Sequence, residues 1–173
     1  MAAAILVAVL GMTAPTRAYL AASSNEAVNQ FQNTTVTCAV SEQFDGAAKT
    51  IVKLQNTGDI PAYLRSRVLV TWKNADGQLH WQKPQPGTDF TMTLDLANGW
   101  MQHTDGYYYW QAPVEPLGFT GVLIPECRQL PGRAPEGFRL SVEILGDAIQ
   151  SEPDAAVLEA WGLVPGKEQV SGG

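Results

Sequence analysis

Residues 52–70 constrain the fold of this chain more than any other stretch. Two runs rich in apolar and β-branched residues flank a turn that holds Asn56, Gly58, Asp59 and Pro61. This pattern predicts two strands joined by a tight connection, a β-hairpin. Pro61 has no N–H to donate to a ladder, which places it at a strand start or a sheet edge. We therefore expect a protein built mainly from strands.

Later segments repeat the strand signal. Apolar and polar residues alternate along residues 62–72, 90–96 and 138–144, and turn signals stand at residues 74–77 and at Asp105-Gly106. Short, regularly spaced strands with one solvent-exposed face predict an all-β fold, an antiparallel two-sheet β-sandwich over residues 31–164. On the second arm of the predicted hairpin, the side chains of Leu64, Val68 and Trp72 are expected to face the core.

One short C-terminal helix closes this predicted domain. Ser151 is the expected N-cap residue and Gly162 the expected stop. Leu158 and Trp161 form an apolar stripe that is expected to dock on the sandwich. Residues 165–173 are expected to be a flexible tail.

The N-terminus predicts export. Residues 2–10 are an uncharged apolar run, and Thr-Arg-Ala at residues 16–18 offers small residues where a signal peptidase cuts. Residues 1–18 therefore form a predicted signal peptide, cleaved between Ala18 and Tyr19, and the alternative is a short buried helix. No second apolar run is long enough to span a membrane. We expect a secreted protein with a mature N-terminal segment at residues 19–30.

The charge of the chain limits the classes of partner it can bind, and its cysteines suggest a disulfide. The formal net charge is −6, and clustered Lys and Arg are missing, which argues against nucleic acid as a partner. Because exported proteins meet an oxidising environment, Cys38 and Cys127 are candidates for a disulfide. Two separate buried thiols are the alternative.

Several motifs together resemble one family of exported proteins. They are Asn-Thr-Gly-Asp-Ile-Pro-Ala-Tyr-Leu-Arg at residues 56–65, Asp-Gly-Tyr-Tyr-Tyr at residues 105–109, and the ending from residues 140–144 through Ala-Trp-Gly at residues 160–162. The chain resembles the Gram-positive proteins processed by the SipW-type signal peptidase, the family of the TasA biofilm-matrix subunit and camelysin. The junction at residues 16–20 is similar to that family's cleavage site.

The resemblance implies a fold and a role. It implies a jelly-roll-like sandwich and a surface or matrix protein outside the cell, with cell-wall or matrix components as further partners. By the same analogy, residues 19–31 would be a donor strand through which copies self-associate. Such strand addition uses main-chain hydrogen bonds for affinity and side-chain pockets for register.

Camelysin is classified as a metalloprotease, so a zinc site must be weighed. Zinc proteases commonly use two histidines one helical turn apart with a carboxylate base. The only histidines here are His80 and His103, and they would have to meet across strands, with Asp76 or Asp105 as a third ligand. The alternative is two half-exposed loop histidines. Because no other catalytic motif occurs, we expect no enzymatic activity, no catalytic residues and no cofactor.

Aromatic residues suggest a third reading. A carbohydrate-binding platform and core packing compete for Trp72, Trp81, Trp100, Tyr107, Tyr108, Tyr109 and Trp110. Alternation puts Tyr107 and Tyr109 on the face opposite Tyr108 and Trp110, so at most half of that run shares one surface.

Overall fold

A computed structural model describes residues 34–167 of the chain as two four-stranded sheets and one helix. The strands are β1 (Cys38–Phe44), β2 (Ala48–Asn56), β3 (Ala62–Lys73), β4 (Phe90–Thr93), β5 (Trp100–Gln102), β6 (Tyr108–Trp110), β7 (Ile124–Gln129) and β8 (Arg139–Gln150), followed by helix α1 (Asp154–Trp161). The predicted leader, its Ala18–Tyr19 junction and the segment 19–30 lie outside the described residues.

The sheets have interleaved strand orders. Sheet A runs β1-β2-β7-β4 and sheet B runs β5-β6-β3-β8, and every pair within them is antiparallel. Apart from β1–β2 and β5–β6, consecutive strands lie in opposite sheets, as in a jelly roll. The predicted jelly-roll-like β-sandwich with one C-terminal helix is thereby confirmed.

The core lies between the sheets and follows the predicted alternation. On β3, Leu64 and Trp72 are buried, as predicted, and Val68 packs against the same cluster, whereas Arg67 and Leu69 on the other face are exposed. Burial of apolar side chains from both sheets is the main stabilising contribution in such a fold. The fully buried members are Val52, Leu54, Leu64, Phe90, Trp100, Leu123 and Ile124.

The predicted hairpin at residues 52–70 is wrong. β2 belongs to sheet A and β3 to sheet B, so the turn between them is a corner that crosses from one sheet to the other. Asn56 holds this corner, because its Nδ2 donates to the carbonyls of Ile60 and Val114, each at 2.8 Å. Its Oδ1 accepts the N–H of Gly58 at 2.9 Å. The side chain is fully buried, so each of these bonds replaces one to water.

Both other turn predictions are confirmed. Gly77 N–H donates to the Asn74 carbonyl, and Gly106 N–H donates to the His103 carbonyl, each at 3.1 Å. Both glycines have positive φ, a conformation that lets the chain reverse within a few residues. The second turn joins β5 to β6, and the register of this pair places Trp110 opposite Trp100.

The helix forms where predicted but turns a different face to the body. Val157 is fully buried and Trp161 packs beside it, whereas Leu158 is 48% exposed. Ser151 does not cap the helix, because the N-cap position is Pro153 and no side chain donates or accepts a capping hydrogen bond there. The Ser151 N–H instead donates to the Pro61 carbonyl at 3.0 Å. Gly162 ends the helix in the left-handed conformation, as predicted. The packed body continues past the predicted boundary at residue 164, since Pro165 is fully buried.

Candidate functional site

β8 leaves the longest free edge in the described part of the chain. It pairs with β3 in unbroken antiparallel register from Arg139–Lys73 to Gln150–Ala62 and is the last strand of sheet B. No strand within residues 34–167 pairs with its other side. An unpaired strand edge presents N–H and C=O groups that another chain can bind.

Two hydrogen bonds show which backbone groups of β8 point outward. The Leu140 N–H donates to Oε1 of Gln129 at 2.8 Å, and the Val142 carbonyl accepts from Nζ of Lys49 at 2.6 Å. Gln129 and Lys49 belong to sheet A, so these groups face away from β3. Because direction alternates along an antiparallel strand, all the even-numbered residues of β8 turn their backbone groups to the free edge.

The two halves of this edge differ. Side chains of sheet A occupy backbone groups of Leu140 and Val142. Farther along, the outward N–H and C=O groups of Ile144, Gly146 and Ala148 meet no hydrogen-bond partner among residues 34–167. Residues 144–150 are therefore the open half of the edge, and residues 139–143 are the capped half.

A groove runs between this edge and β1, and we call it the β1–β8 groove. Its walls are Val40, Glu42 and Phe44 on one side and Leu140, Val142 and Ile144 on the other, and it holds cavities of about 750 and about 340 Å³. Lys49 lines both cavities. Val40, Leu140, Val142 and Ile144 pack against the core yet remain only partly buried, and Phe44 is 67% exposed, so the sandwich is incompletely covered here.

Lys49 is tied to both walls of the groove. Its Nζ lies 2.9 Å from Oε1 of Glu42 on β1, besides the bond to Val142 on β8. The Lys49 side chain is only 15% exposed. An ammonium held between a carboxylate and a carbonyl makes charge-assisted hydrogen bonds, which are stronger than neutral ones.

The two cysteines are free and too far apart to be joined, so the predicted disulfide between Cys38 and Cys127 is wrong. Cys38 is opposite Asn56 on β2, and Cys127 is opposite Lys49 on the same strand. Seven residues of strand separate these positions, about 23 Å at the usual rise. A disulfide requires Cα atoms within about 7 Å.

Burial also keeps both thiols protonated. Desolvation, with the nearby Asp147 carboxylate, raises the pKa of Cys38, and desolvation raises the pKa of Cys127 to about 11. The Lys49 ammonium opposes the shift at Cys127 but does not overcome it. Because the thiolate is the reactive form of cysteine, burial disfavours nucleophilic chemistry at both thiols.

The structure does not bring the two histidines together. The His80 N–H donates to the Trp72 carbonyl at one end of β3, whereas His103 lies in the β5–β6 turn, which reaches β3 near Ser66. The positions on β3 next to His80 and next to the β5–β6 turn are therefore about 17–20 Å apart along the strand. His80 packs edge-on against Phe138, with ring centroids 4.8 Å apart. The structure therefore does not support a zinc site shared by His80 and His103, the alternative weighed from the sequence, and no group of three metal-ligating side chains occurs within residues 34–167.

The aromatic residues divide between core and surface, as their alternation predicts. Trp72 and Trp100 are buried, and Trp110 packs edge-on against Trp100, with centroids 5.6 Å apart. Trp81 is 83% exposed and stacks on the His80 ring, with centroids 5.6 Å apart. A single flat platform therefore does not form.

Tyr107 and Tyr109 join a closed cluster on the outer face of sheet B. The Arg65 guanidinium lies 4.0 Å from the Tyr107 ring centroid and 4.6 Å from that of Trp161. Arg65 also donates to Asp147 at 3.1 Å and to the Tyr109 hydroxyl at 3.0 Å. The cluster attaches the helix to the sheet, and its polar groups form hydrogen bonds with one another.

Hydrogen bonding sets the charge states in this cluster. The Tyr109 hydroxyl donates to Oδ2 of Asp105 at 2.6 Å, and the Tyr107 N–H donates to Oδ1 at 2.9 Å. Partial burial works against these bonds, but they prevail and lower the pKa of Asp105. Desolvation of Arg65 is likewise outweighed by its bonds to Tyr109 and Asp147, which raise its pKa.

The described chain begins at the end of the sandwich where β8 finishes. The Thr35 N–H donates to Oδ1 of Asp59 at 2.6 Å, and the Asp59 N–H returns a bond to the Thr35 carbonyl at 3.0 Å. The neighbouring Pro61 carbonyl binds Ser151, the residue after β8. The first described residues therefore lie near the C-terminal end of β8.

Comparisons with protein-family models, with curated proteins and with solved structures found no match. Within residues 34–167, no helix is long and apolar enough to cross a membrane.

Sequence reasoning missed Lys49 and Gln129. The predicted sites were histidines, cysteines and aromatics, whereas the structure points to a backbone edge and the two side chains that cap part of it. A lysine or glutamine on a strand is usually a solvated residue. No local signal distinguishes these two from that ordinary case.

Proposed function

We propose that this protein is a secreted, surface-associated structural subunit that joins copies of itself by strand addition, with no catalytic role. The free β8 edge beside the incompletely covered β1–β8 groove carries the proposal. An incoming strand would gain main-chain hydrogen bonds along β8 and would cover the half-buried Leu140, Val142 and Ile144. Burying such apolar surface contributes about 25 cal/mol per Å².

The proposed occupant is the segment 19–31 of a second copy. All strand pairs in sheet B are antiparallel, which favours an antiparallel strand at this edge as well. The chain enters at residue 34, near the C-terminal end of β8, so its own preceding segment would run along β8 in the parallel direction. The same segment of a second copy is free of that constraint.

Length supports the same occupant. β8 has 12 residues, about 40 Å of strand. Residues 19–31 span a comparable length when extended. They have one charged side chain, Glu26, so few charged side chains would have to enter the groove beside β8.

Deletion tests the donor. The mature protein, residues 19–173, is compared with the same protein lacking residues 19–30 by electron microscopy and by light scattering across concentration. We expect filaments or concentration-dependent oligomers that disappear with the deletion. Assemblies that persist unchanged after the deletion would rule out this segment.

A substitution on β8 tests the acceptor. Ala148→Pro removes an outward N–H that an added strand would use, at an edge position where proline is tolerated. The matched control, Ala148→Gly, disturbs the strand but keeps the N–H. We expect assembly to weaken by about tenfold or more for the proline variant relative to the glycine variant. Equal assembly by the two variants would show that β8 is not the acceptor.

A further inference from the structure

We propose that Lys49 guards the β8 edge and holds assembly back until it is displaced. The inference rests on the proposed function for the identity of the incoming strand, residues 19–31 of a second copy. It is carried by a different observation, which is that a charged side chain of sheet A already occupies an outward carbonyl of β8.

The position of Lys49 suits a guard. Its ammonium sits in the groove on the path of any strand that pairs with β8, and it lines the cavities on both sides of that point. Glu42 on the facing strand holds the ammonium at 2.9 Å. Inward-pointing charges, lysine above all, are a common protection of exposed sheet edges.

The guard divides the edge into two stages. Residues 144–150 offer backbone groups without partners among residues 34–167, so an added strand can pair there first. To continue toward residue 140, it must take the Val142 carbonyl from Lys49 and the Leu140 N–H from Gln129. Displacement of Lys49 is the costlier of these two steps, because its hydrogen bonds are charge-assisted.

A purely structural tie between the sheets is the competing explanation for Lys49. The two explanations differ in what removal of the ammonium does: a lost tie lowers stability alone, whereas a lost guard speeds assembly. Lys53 provides the matched control, since it lies on the same strand and carries the same charge. Its Nζ lies 4.1 Å over the Phe119 ring instead of reaching β8.

The experiment compares the mature wild type, Lys49→Met and Lys53→Met by the lag and rate of assembly in light scattering. Circular dichroism and urea unfolding establish that each is folded. We expect Lys49→Met to assemble about tenfold faster than wild type, the rate equivalent of one charge-assisted hydrogen bond, and Lys53→Met to match wild type. Lys49→Gln, which loses the charge but not the polarity, serves if the methionine variant folds poorly.

The outcomes separate the two proposals. If wild type assembles and both lysine variants follow it equally, the guard is overturned and strand addition stands. If wild type stays monomeric and Lys49→Met assembles, the guard is supported in its strongest form. If no protein assembles, wild type and variants alike, both proposals fall.

Discussion

β3 and β8 are the two longest described strands, neighbours in one sheet, and they meet the core very differently. Each has 12 residues, and they pair over their whole length. β3 has partners on both sides and buries Leu64 and Trp72 to 2% exposure or less. β8 has one partner, and its core-facing Leu140, Val142 and Ile144 all remain partly exposed.

The difference shows that alternation alone does not decide burial. Both strands turn apolar side chains to the same interior, and Val68 and Val70 on β3 are only partly buried. Only β3, however, buries some of its core-facing side chains completely, and β8 buries none of its own to that extent. What distinguishes β8 is that no strand within residues 34–167 pairs with its second edge, and such an edge presents N–H and C=O groups that another chain can bind.

Truncation of matched core residues gives the largest expected effect. Leu64→Ala removes a fully buried side chain and should lower the free energy of unfolding by about 3–4 kcal/mol. Ile144→Ala removes a half-buried one that faces the same interior and should cost about 1–2 kcal/mol in the monomer. Urea unfolding at low protein concentration measures both.

The comparison sharpens when assembly is allowed. If a strand covers Ile144, its truncation should cost more in the assembled protein than in the monomer, whereas the cost of Leu64→Ala should not change. Equal costs for the two truncations in the monomer would show that the β8 face is already covered, and the contrast between the strands would fail.

Local sequence patterns predicted what depends on neighbouring residues. The alternation on β3 identified its core face, and the Asn-Ala-Asp-Gly and Asp-Gly signals identified the turns at Gly77 and Gly106. Both features are decided within a few residues, where side-chain direction and backbone conformation act directly.

Pairing between distant strands escaped prediction. The corner at residues 57–61 has the same residue types as a hairpin turn, and only the distant carbonyl of Val114, which binds Asn56, distinguishes the two. Ile51 adopts a φ of 53° at an irregularity in β2, although a β-branched residue disfavours that region. Whether β8 is an edge, and whether Lys49 reaches it, depends on which strands meet, and no local pattern encodes that.

The second-largest expected effect concerns the contacts of Arg65, on the outward face of β3, with the neighbouring strands β6 and β8. Arg65→Met removes a guanidinium that binds Asp147 on β8 and Tyr109 on β6, and we expect a loss of about 2–3 kcal/mol in unfolding free energy. The matched control is Arg67→Met, since Arg67 is an exposed arginine on the same face. Its guanidinium makes only a contact with the Tyr107 ring at 5.2 Å and no hydrogen bond to β6 or β8, so its loss should cost about 1 kcal/mol at most. Similar losses for the two arginines would mean that the cluster does not join β3 to its neighbours.

The smallest expected effect is on the pH dependence of stability, through Asp105, whose carboxylate binds Tyr109 on β6. Partial burial opposes ionisation of Asp105, but hydrogen bonds from Tyr109 and Tyr107 outweigh it, so its pKa in the folded protein is lowered from the ordinary 3.8. A lowered folded pKa stabilises the fold above the unfolded pKa, and this contribution is lost as the pH falls through about 4 and below. Asp105→Asn should therefore flatten the fall in urea midpoint between about pH 6 and pH 3. If Asp105→Asn retains the full pH dependence, the hydrogen bonds to this carboxylate do not stabilise the closed side of β3, and its contrast with the open edge of β8 must rest on packing alone.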